Sequence, residues 1–249
     1  MQLAFSTWLD VEEYLKRSKG VMIPVGSMEQ HGPTGHIGTD AICAEAVALA
    51  ASEQAGALVA PTISVGMSVH HTAFPGSMTL RPTTLIQVLI EHVFCLARCG
   101  FERFHFVNGH GGNNASINAA IWQIYAMAAE SNLPHRDRIR LRNDAWYDLA
   151  PVNKLRRELF GDKEGDHATP SEIAITMYAH PDHIRKVGTL PPLRETRGTA
   201  YGALDFRKSF PDGRLYSDPS LATPELGRKV LETAAAEIAR LYKDFMAEE

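Results

Sequence analysis

Carboxylate and imidazole side chains crowd a glycine-rich loop near the start of the chain, directly after an apolar run. The run 21–25 is typical of a buried strand, and Glu29, His31, His36 and Asp40 follow it closely. Oxygen and nitrogen donors together suit zinc, manganese or iron, and open α/β sheets carry their chemistry just beyond the carboxyl ends of strands. The loop therefore predicts a metal site, although Asp40 is also suited to cap the helix that follows.

A second group of such side chains follows another predicted strand. In the segment 108–113, Asn-Gly-His-Gly-Gly-Asn, glycines flank His110 and leave its ring free to approach a metal ion or ligand. Backbone N–H groups ahead of the next helix can also bind an oxyanion. The segment matches neither the phosphate-loop nor the dinucleotide-binding pattern, and a glycine-rich turn alone is weakly diagnostic.

The segment 165–172 combines a helix start with further titratable groups. Thr169, Pro170 and Glu172 form a capping-box pattern with proline at the first helical position, so Glu172 is suited to a structural role. A carboxylate in the first turn of a helix near the strand ends is equally well placed to bind a metal ion. His167 lies beside it and can transfer protons near neutral pH.

Adjacent histidines occur in one more loop, 66–76. His70 and His71 are open to three interpretations: metal ligands, substrate contacts or ordinary loop residues. Taken singly, each fits the last of these best.

Predicted strands and helices alternate along the chain. Apolar runs predict strands over 20–25 and 57–63, a further strand is predicted over 103–107 directly ahead of the glycine-rich turn, and alternation predicts one over 138–143. Helices are predicted over 41–54, 82–98, 114–130, 170–179 and 224–247. This alternation implies an α/β fold with right-handed crossovers and a mostly parallel sheet covered on both faces. We expect residues 1–249 to form a single domain. The stretch 187–222 has little periodicity, which indicates a functional loop or an assembly element, with disorder as the alternative.

Composition limits the classes of partner. The chain has 249 residues, 45% of them hydrophobic and 22% charged, with a net charge of −4. This charge gives no basic surface for nucleic acid, and no apolar run approaches the ~20 residues that span a bilayer. The first residues lack the pattern of a signal peptide, and three cysteines do not suggest a disulfide framework. We therefore expect a cytoplasmic protein acting on a small molecule, with no nucleic-acid or membrane partner.

The motifs together resemble the creatininase (creatinine amidohydrolase) family. The resemblance rests on 27–32 with Asp40, on His71 ahead of 74–76, on 108–113 and on His167-Ala-x-x-x-Glu172, in order over about the first three-quarters of the chain. It implies a three-layer α/β/α sandwich, a dinuclear centre of two divalent ions per chain (zinc, manganese or iron), and hydrolysis of amide-type C–N bonds. It also implies a homo-oligomer, with a hexamer as one form.

Carried onto this sequence, the resemblance assigns roles to individual residues. The metal ligands would be Glu29, His31, Asp40, His110 and Glu172, the catalytic residues His167 and Glu172, and the substrate contacts His71, Asn108, Gly111 and Trp146. Asp40 would bridge the two ions, Glu29 and His110 completing one site and His31 and Glu172 the other. No family position assigns His36 as a ligand. Creatininase has a carboxylate where this chain has Gly112, which argues against creatinine as the substrate.

The resulting hypothesis is a dinuclear metal-dependent amidohydrolase that cleaves a non-peptide, small cyclic or formyl amide with an activated water. One alternative is a metal-dependent hydrolase of a lactone, a cyclic ketone or a short peptide, since the same centre can activate water for those bonds. Another is a non-catalytic module that binds an anion at the glycine-rich turn. The number of candidate ligands argues against that module, because binding alone does not require them.

Overall fold

A parallel β-sheet forms the centre of the protein. The structure is a computed structural model that describes residues 1–185, 189–192 and 201–248. Within these residues the sheet has the strands β1 (Gly20–Val25), β2 (Leu58–Val59), β3 (Arg103–Asn108) and β4 (Arg140–Ala145), in the order β2-β1-β3-β4. Every pairing between them is parallel, as expected for strands joined by helical crossovers.

Helices cover both faces of the sheet. They are α1 (Trp8–Arg17), α2 (Thr39–Ala55), α3 (Pro82–Arg98), α4 (Asn114–Glu130), α5 (Ala150–Phe160), α6 (Pro170–Ala179), α7 (Ala203–Ser209) and α8 (Pro224–Ala247). Successive side chains of a strand point to opposite faces, so Val21 and Ile23 pack in a core with α1, α3 and α4, whereas Met22 packs in a second core with α2, α6 and α8. The predicted three-layer α/β/α fold is thus confirmed.

The register of the strands brings their carboxyl ends to one edge. Val25 of β1 lies opposite Asn108 of β3, and Asn108 lies opposite Ala145 of β4. The loops that leave these strands therefore start side by side. The amino ends of α2 and α6 lie at the same place, as their contacts with those loops show. This edge is where a parallel sheet is expected to hold its functional groups.

Two glycines let α2 sit directly on this edge. A Cβ atom on Gly26 would lie 2.3 Å from the Cα atom of Ala41, and one on Gly109 would lie 2.3 Å from the carbonyl oxygen of Asp40. Both neighbours are backbone atoms, which cannot rotate away. The absence of a side chain at these positions therefore allows the first turn of α2, with Asp40, to approach the strand ends.

We predict that Gly26→Ala destabilises the protein by about 1–3 kcal/mol, because α2 must shift to admit the methyl group. At about 2–4 °C per kcal/mol for a chain of this size, the melting temperature should fall by several degrees in a calorimetric scan. Gly202→Ala is the matched control, since a Cβ atom there has no neighbour within 4 Å. Equal melting temperatures for Gly26→Ala and the parent would contradict the close approach.

The helix predictions agree well with the structure, and the second strand prediction does not. The ranges 82–98, 114–130, 170–179 and 224–247 are confirmed. Of the predicted strand 57–63, only Leu58 and Val59 form a ladder, because Pro61 has no N–H group to donate. The rest still follows β1 through hydrogen bonds from the backbone nitrogens of Ala60 and Ile63 to the carbonyl oxygens of Met22 and Pro24.

Some elements of the structure were not predicted from the sequence. Helices α1, α5 and α7 were not predicted, although α1 begins with a capping box formed by Thr7 and Asp10. Part of the stretch 187–222 lies outside the described residues, whereas 201–222 contains α7 and a short 3₁₀ helix, Pro219–Leu221. No helix in the described part of the chain combines the length and the apolar character needed to cross a membrane.

Candidate metal centre

Acidic and imidazole side chains from distant segments converge at the carboxyl edge of the sheet. Two come from the loop after β1, one from the first turn of α2, one from the turn after β3 and one from the first turn of α6; they are Glu29, His31, Asp40, His110 and Glu172. The first four are buried, and the side chain of Glu172 is 14% exposed. The structure thus brings together all five side chains that the sequence proposed as metal ligands.

One group of three consists of Glu29, Asp40 and His110. His110 Nε2 lies 3.2 Å from Glu29 Oε2, and His110 Nδ1 lies 3.2 Å from Asp40 Oδ2. The three candidate ligand atoms lie within 4.8 Å of one another. A single divalent ion could therefore bind all three.

A second group of three shares Asp40 with the first. His31 Nε2 lies 3.1 Å from Asp40 Oδ1 and 3.8 Å from Glu172 Oε2. Asp40 thus directs one carboxylate oxygen to each group, which is the arrangement a bridging ligand needs. Glu29, His31 and His167 form a further possible group on the same distance criterion.

The hydrogen bonds of the histidines test whether a cation fits. His31 Nδ1 lies 3.0 Å from the carbonyl oxygen of Glu29, and His110 Nε2 lies 2.9 Å from that of Met67. A carbonyl can only accept, so these nitrogens carry a proton, and in the neutral form of each ring the opposite nitrogen presents its lone pair to a carboxylate oxygen. Two oxygens in this cluster, Glu29 Oε1 and Asp40 Oδ2, have no hydrogen-bond partner among the described residues. Lone pairs that face each other in a buried site need a cation between them, and a divalent metal ion fits that requirement.

The carboxylates of this cluster also shift the pKa values of the two histidines. Burial by itself would lower the pKa of His31, but Asp40 and Glu172 outweigh it and raise the value to about 10. Burial also opposes the charge of His110, yet Glu29 and Asp40 raise its pKa to about 9. Without a metal ion the cluster therefore keeps protons at neutral pH. A metal ion has to displace them, so its affinity should fall as the pH falls.

Glu172 combines the two roles that the sequence left open. Its Oε1 accepts a 2.6 Å hydrogen bond from the backbone nitrogen of Thr169, which completes the predicted capping box. Its Oε2 faces His31. Asp40 behaves differently: Gly38 occupies the N-cap position of α2 and Asp40 lies in the first turn, so the capping alternative for Asp40 is wrong.

A cavity of about 280 Å³ opens over these groups. Four of the five candidate ligands, all but His31, line it, and its walls also include His70, His71, Gly111, Gly112, Trp146, Tyr147, Arg156, Asp166, His167, Phe206 and Leu215. Three of the four predicted substrate contacts, His71, Gly111 and Trp146, thus line the cavity. A larger groove of about 760 Å³ lies elsewhere, is lined mainly by aliphatic residues, and contains none of these groups.

Asn108 is the exception among the predicted substrate contacts. Its side chain is fully buried, and its amide nitrogen donates to the carbonyl oxygen of His110 and to Asn114 Oδ1. Its Oδ1 accepts a hydrogen bond from the backbone nitrogen of His110. The prediction of direct substrate contact is therefore wrong, because Asn108 holds the turn that carries His110.

Three important residues were not predicted from the sequence. Gln30 lies between two candidate ligands and contacts both His71 and His167. Phe206 of α7 packs edge-on against His71, with 4.5 Å between ring centroids. Arg156 of α5 lines the cavity and pairs with Glu164 at 2.6 Å. The position of Gln30 inside the motif was an available signal, whereas the other two lie on helices that the sequence did not reveal.

His36 lies outside the cluster. It is half-buried and belongs to none of the ligand groups in the described part of the chain. Its pKa is lowered, first by burial and then by His183 and His180. This position agrees with its omission from the predicted ligands.

The family model for creatininase, described as creatinine amidohydrolase, matches residues 4–242. The chain belongs to the creatininase family. The resemblance drawn from the sequence motifs is thereby confirmed, and the match extends beyond them to include α1 and most of α8.

Individual relatives differ in how much of this creatininase-family chain they match. Creatinine amidohydrolase from Pseudomonas putida is 32% identical over 247 residues, 96% of this chain and 94% of that protein. The mycofactocin precursor peptide peptidase from Mycolicibacterium smegmatis is 40% identical over 107 residues, 41% of this chain, and the match spans 43% of that relative's length. A solved structure titled "Creatininase Mn" superimposes with a TM-score of 0.85 over 99% of both chains, at 23% identity, and this likeness shows the shared fold.

Proposed function

We propose that this protein is a metal-dependent hydrolase that cleaves an amide-type C–N bond of a small molecule with the help of two divalent ions. The observation that carries the proposal is the pair of ligand groups joined through Asp40, one with Glu29 and His110 and the other with His31 and Glu172. The solved relative whose title names manganese supports a divalent metal ion. Zinc, manganese and iron all suit these donors.

Two ions bound there would supply Lewis-acid activation of water and of the substrate carbonyl. Hydrolysis then forms a C–O bond, breaks the C–N bond and leaves a proton to be delivered to the departing nitrogen. His167 is suited to carry that proton, because its ring lines the cavity and its Nδ1 lies 3.6 Å from Glu29 Oε1. We propose His167 as the residue that takes the proton from water and passes it to nitrogen.

The turn after β3 is proposed to stabilise the oxyanion. Gly111 and Gly112 line the cavity just ahead of α4, where the amino end of the helix favours negative charge. Trp146 also lines the cavity; it is buried, and its indole nitrogen has no hydrogen-bond partner among the described residues. His71 and Trp146 remain proposed substrate contacts.

Creatinine is a poor candidate for the substrate. The relative from Pseudomonas putida acts on creatinine, but creatininase carries a carboxylate where this chain has Gly112. A Cβ atom at Gly112 would lie 2.4 Å from His110 Nε2 and 2.5 Å from the carbonyl oxygen of Met67, so no side chain fits beside His110 in this arrangement. We therefore propose that Glu172 supplies the remaining carboxylate and that the amide is a different one.

A short peptide is the second candidate for the substrate. The observation that favours it is the 40% identity to a peptide peptidase over 107 residues. The cavity of about 280 Å³ suits a small amide or only the end of a peptide. Lactones and cyclic ketones remain alternatives, and the purely anion-binding module is least favoured because of the five buried or half-buried ligands.

The test combines elemental analysis of the purified protein with a substrate panel. Formamides, cyclic amides, short peptides and lactones are incubated with the protein, and the products are identified by mass spectrometry. We expect about two divalent ions per chain and hydrolysis of a non-peptide amide, lost on chelation and restored by added metal. Fewer than about one ion per chain, with no turnover, would favour the anion-binding module instead.

We also retain two proposals about organisation. Residues 1–249 form a single domain, and the chain assembles into a homo-oligomer. Support for assembly comes from large apolar side chains exposed near the start of the chain, Phe5 at 86%, Trp8 at 69% and Leu9 at 58%. Light scattering of the purified protein measures the oligomeric number.

A further inference from the structure

Gln30 lies at the junction of two histidines that flank the candidate metal centre. It is 5% exposed, and its amide nitrogen lies 2.9 Å from His71 Nδ1, 3.0 Å from His167 Nε2 and 3.0 Å from the carbonyl oxygen of Gly213. Its Oε1 accepts a 2.8 Å hydrogen bond from the backbone nitrogen of Gly32. The donor at Gly32 and the acceptor at Gly213 fix which end of the amide is nitrogen.

The hydrogens of this amide can be assigned by counting donors. One hydrogen goes to the carbonyl oxygen of Gly213, which can only accept. His167 Nε2 cannot take the other, because it lies 2.7 Å from the backbone carbonyl oxygen of Gln30 and must itself donate there. The second amide hydrogen therefore goes to His71 Nδ1.

This assignment fixes the form of His71. With a lone pair on Nδ1, the neutral ring carries its proton on Nε2, which lies 3.4 Å from Glu29 Oε1. That oxygen has no other hydrogen-bond donor among the described residues. His71 thus presents a donor to Glu29 and has no free nitrogen with which to bind a metal ion.

The hydrogen bonds also fix the tautomer of His167, which presents an acceptor toward Glu29 where His71 presents a donor. Its Nε2 proton is held by the carbonyl oxygen of Gln30, so its Nδ1 presents a lone pair toward Glu29 Oε1 at 3.6 Å. The backbone of His167 is held as well, because Leu215 and Ser217 both donate to its carbonyl oxygen. The nitrogen able to accept a proton is therefore the one that faces the ligand cluster.

We propose that Gln30 is a positioning residue that fixes the tautomers of His71 and His167, making the first a donor and the second an acceptor toward the centre. Gly213 is part of this device: its φ is +85°, and a Cβ atom there would lie 1.8 Å from Gln30 Oε1. Only glycine lets this carbonyl reach the amide. The role of His167 in proton transfer rests on the proposed function, whereas the tautomers do not.

The tautomers can be read directly by solid-state ¹⁵N NMR of zinc-loaded protein labelled at the histidine ring nitrogens. His71→Gln and His167→Gln spectra identify the two sets of signals. We expect each ring to be protonated at Nε2 alone in the parent protein. Gln30→Met has a similar length but no hydrogen-bonding groups, so His71 should become a mixture of tautomers.

A second variant of Gln30 and a control variant complete the test. Gln30→Glu retains the acceptor for Gly32 but offers none of the amide hydrogens, so His71 should move its proton to Nδ1. In both variants kcat for the amide found in the substrate panel should fall about 10–100-fold, with unchanged zinc content by elemental analysis. Gln123→Met, at an exposed position of α4, should change neither the spectrum nor kcat.

Two outcomes are decisive. Unchanged ring signals of His71 in both Gln30 variants would overturn the proposal, and so would a parent spectrum with His71 protonated at Nδ1. If the parent protein hydrolyses no substrate of the panel, the proposed function fails, yet the spectra still decide the role of Gln30. The two hypotheses therefore fail on different measurements.

Discussion

Replacing Asp40 with alanine is expected to remove the two proposed metal ions and to lower turnover by at least about a thousandfold, the largest effect of any single substitution. Asp40 belongs to both ligand groups, the one with Glu29 and His110 and the one with His31 and Glu172. Its Oδ1 lies 3.1 Å from His31 Nε2, and its Oδ2 lies 3.2 Å from His110 Nδ1. Loss of this carboxylate leaves each group with one carboxylate and one imidazole. It also leaves the positive charge of two ions poorly neutralised in a buried site.

The measurement is metal content by elemental analysis alongside kcat. Asp40→Asn preserves the shape of the side chain and removes its charge, so it separates loss of metal from loss of fold. Asp137→Ala, at an exposed position, is the matched control and should retain both metal and activity. An Asp40→Ala protein with full metal content and full turnover would refute the bridging role.

Replacing His167 with glutamine is expected to lower kcat by about 10²–10⁴-fold while the metal content stays unchanged. The reason is its position: the ring stacks on His71 at 4.3 Å between centroids and lines the cavity, but its closest contact with a carboxylate is the 3.6 Å distance to Glu29. A proton carrier affects the chemical step, whereas a ligand affects metal affinity. The two roles therefore predict different results.

The control is His180→Gln, a histidine at an exposed position near the end of α6. It should leave kcat, KM and metal content at their parent values. A drop in metal content for His167→Gln would instead identify the group Glu29, His31 and His167 as a true metal site. Unchanged kcat would exclude His167 from proton transfer.

Local sequence patterns were sufficient to predict the helices and strands whose limits are specified by their own residues. The helix 170–179 was predicted with its correct limits because Thr169, Pro170 and Glu172 specify its start within a few residues. Strand β1 was recognisable because both of its faces are buried, which makes it a continuous apolar run, whereas β3 is buried on both faces yet carries His105. The resemblance of the separate motifs to the creatininase family, carried over residue by residue, supplied the set of five candidate ligands.

Non-local contacts explain most of what the sequence did not reveal, whereas the shortness of the second strand has a local cause. The strand predicted over 57–63 is limited to two paired residues by Pro61, although the whole run is apolar enough to suggest more. In the sequence Asn108 is a polar residue at the end of a predicted strand. Only the folded turn shows that its amide nitrogen donates hydrogen bonds to the carbonyl oxygen of His110 and to Asn114 Oδ1. Phe206 and Arg156 reach the cavity from helices whose own sequences do not indicate it.

The sequence by itself determined the chemical types of the cluster, its family and the layered α/β fold, because these depend on residue identity and short-range periodicity. The tertiary structure decided how the parts meet: the register that places Val25, Asn108 and Ala145 side by side brings the loops together. It also decided which nitrogen of each histidine faces the centre, since that depends on carbonyl groups from distant segments such as Met67. Hydrogen-bond direction is a property of three-dimensional neighbours, and no linear spacing encodes it.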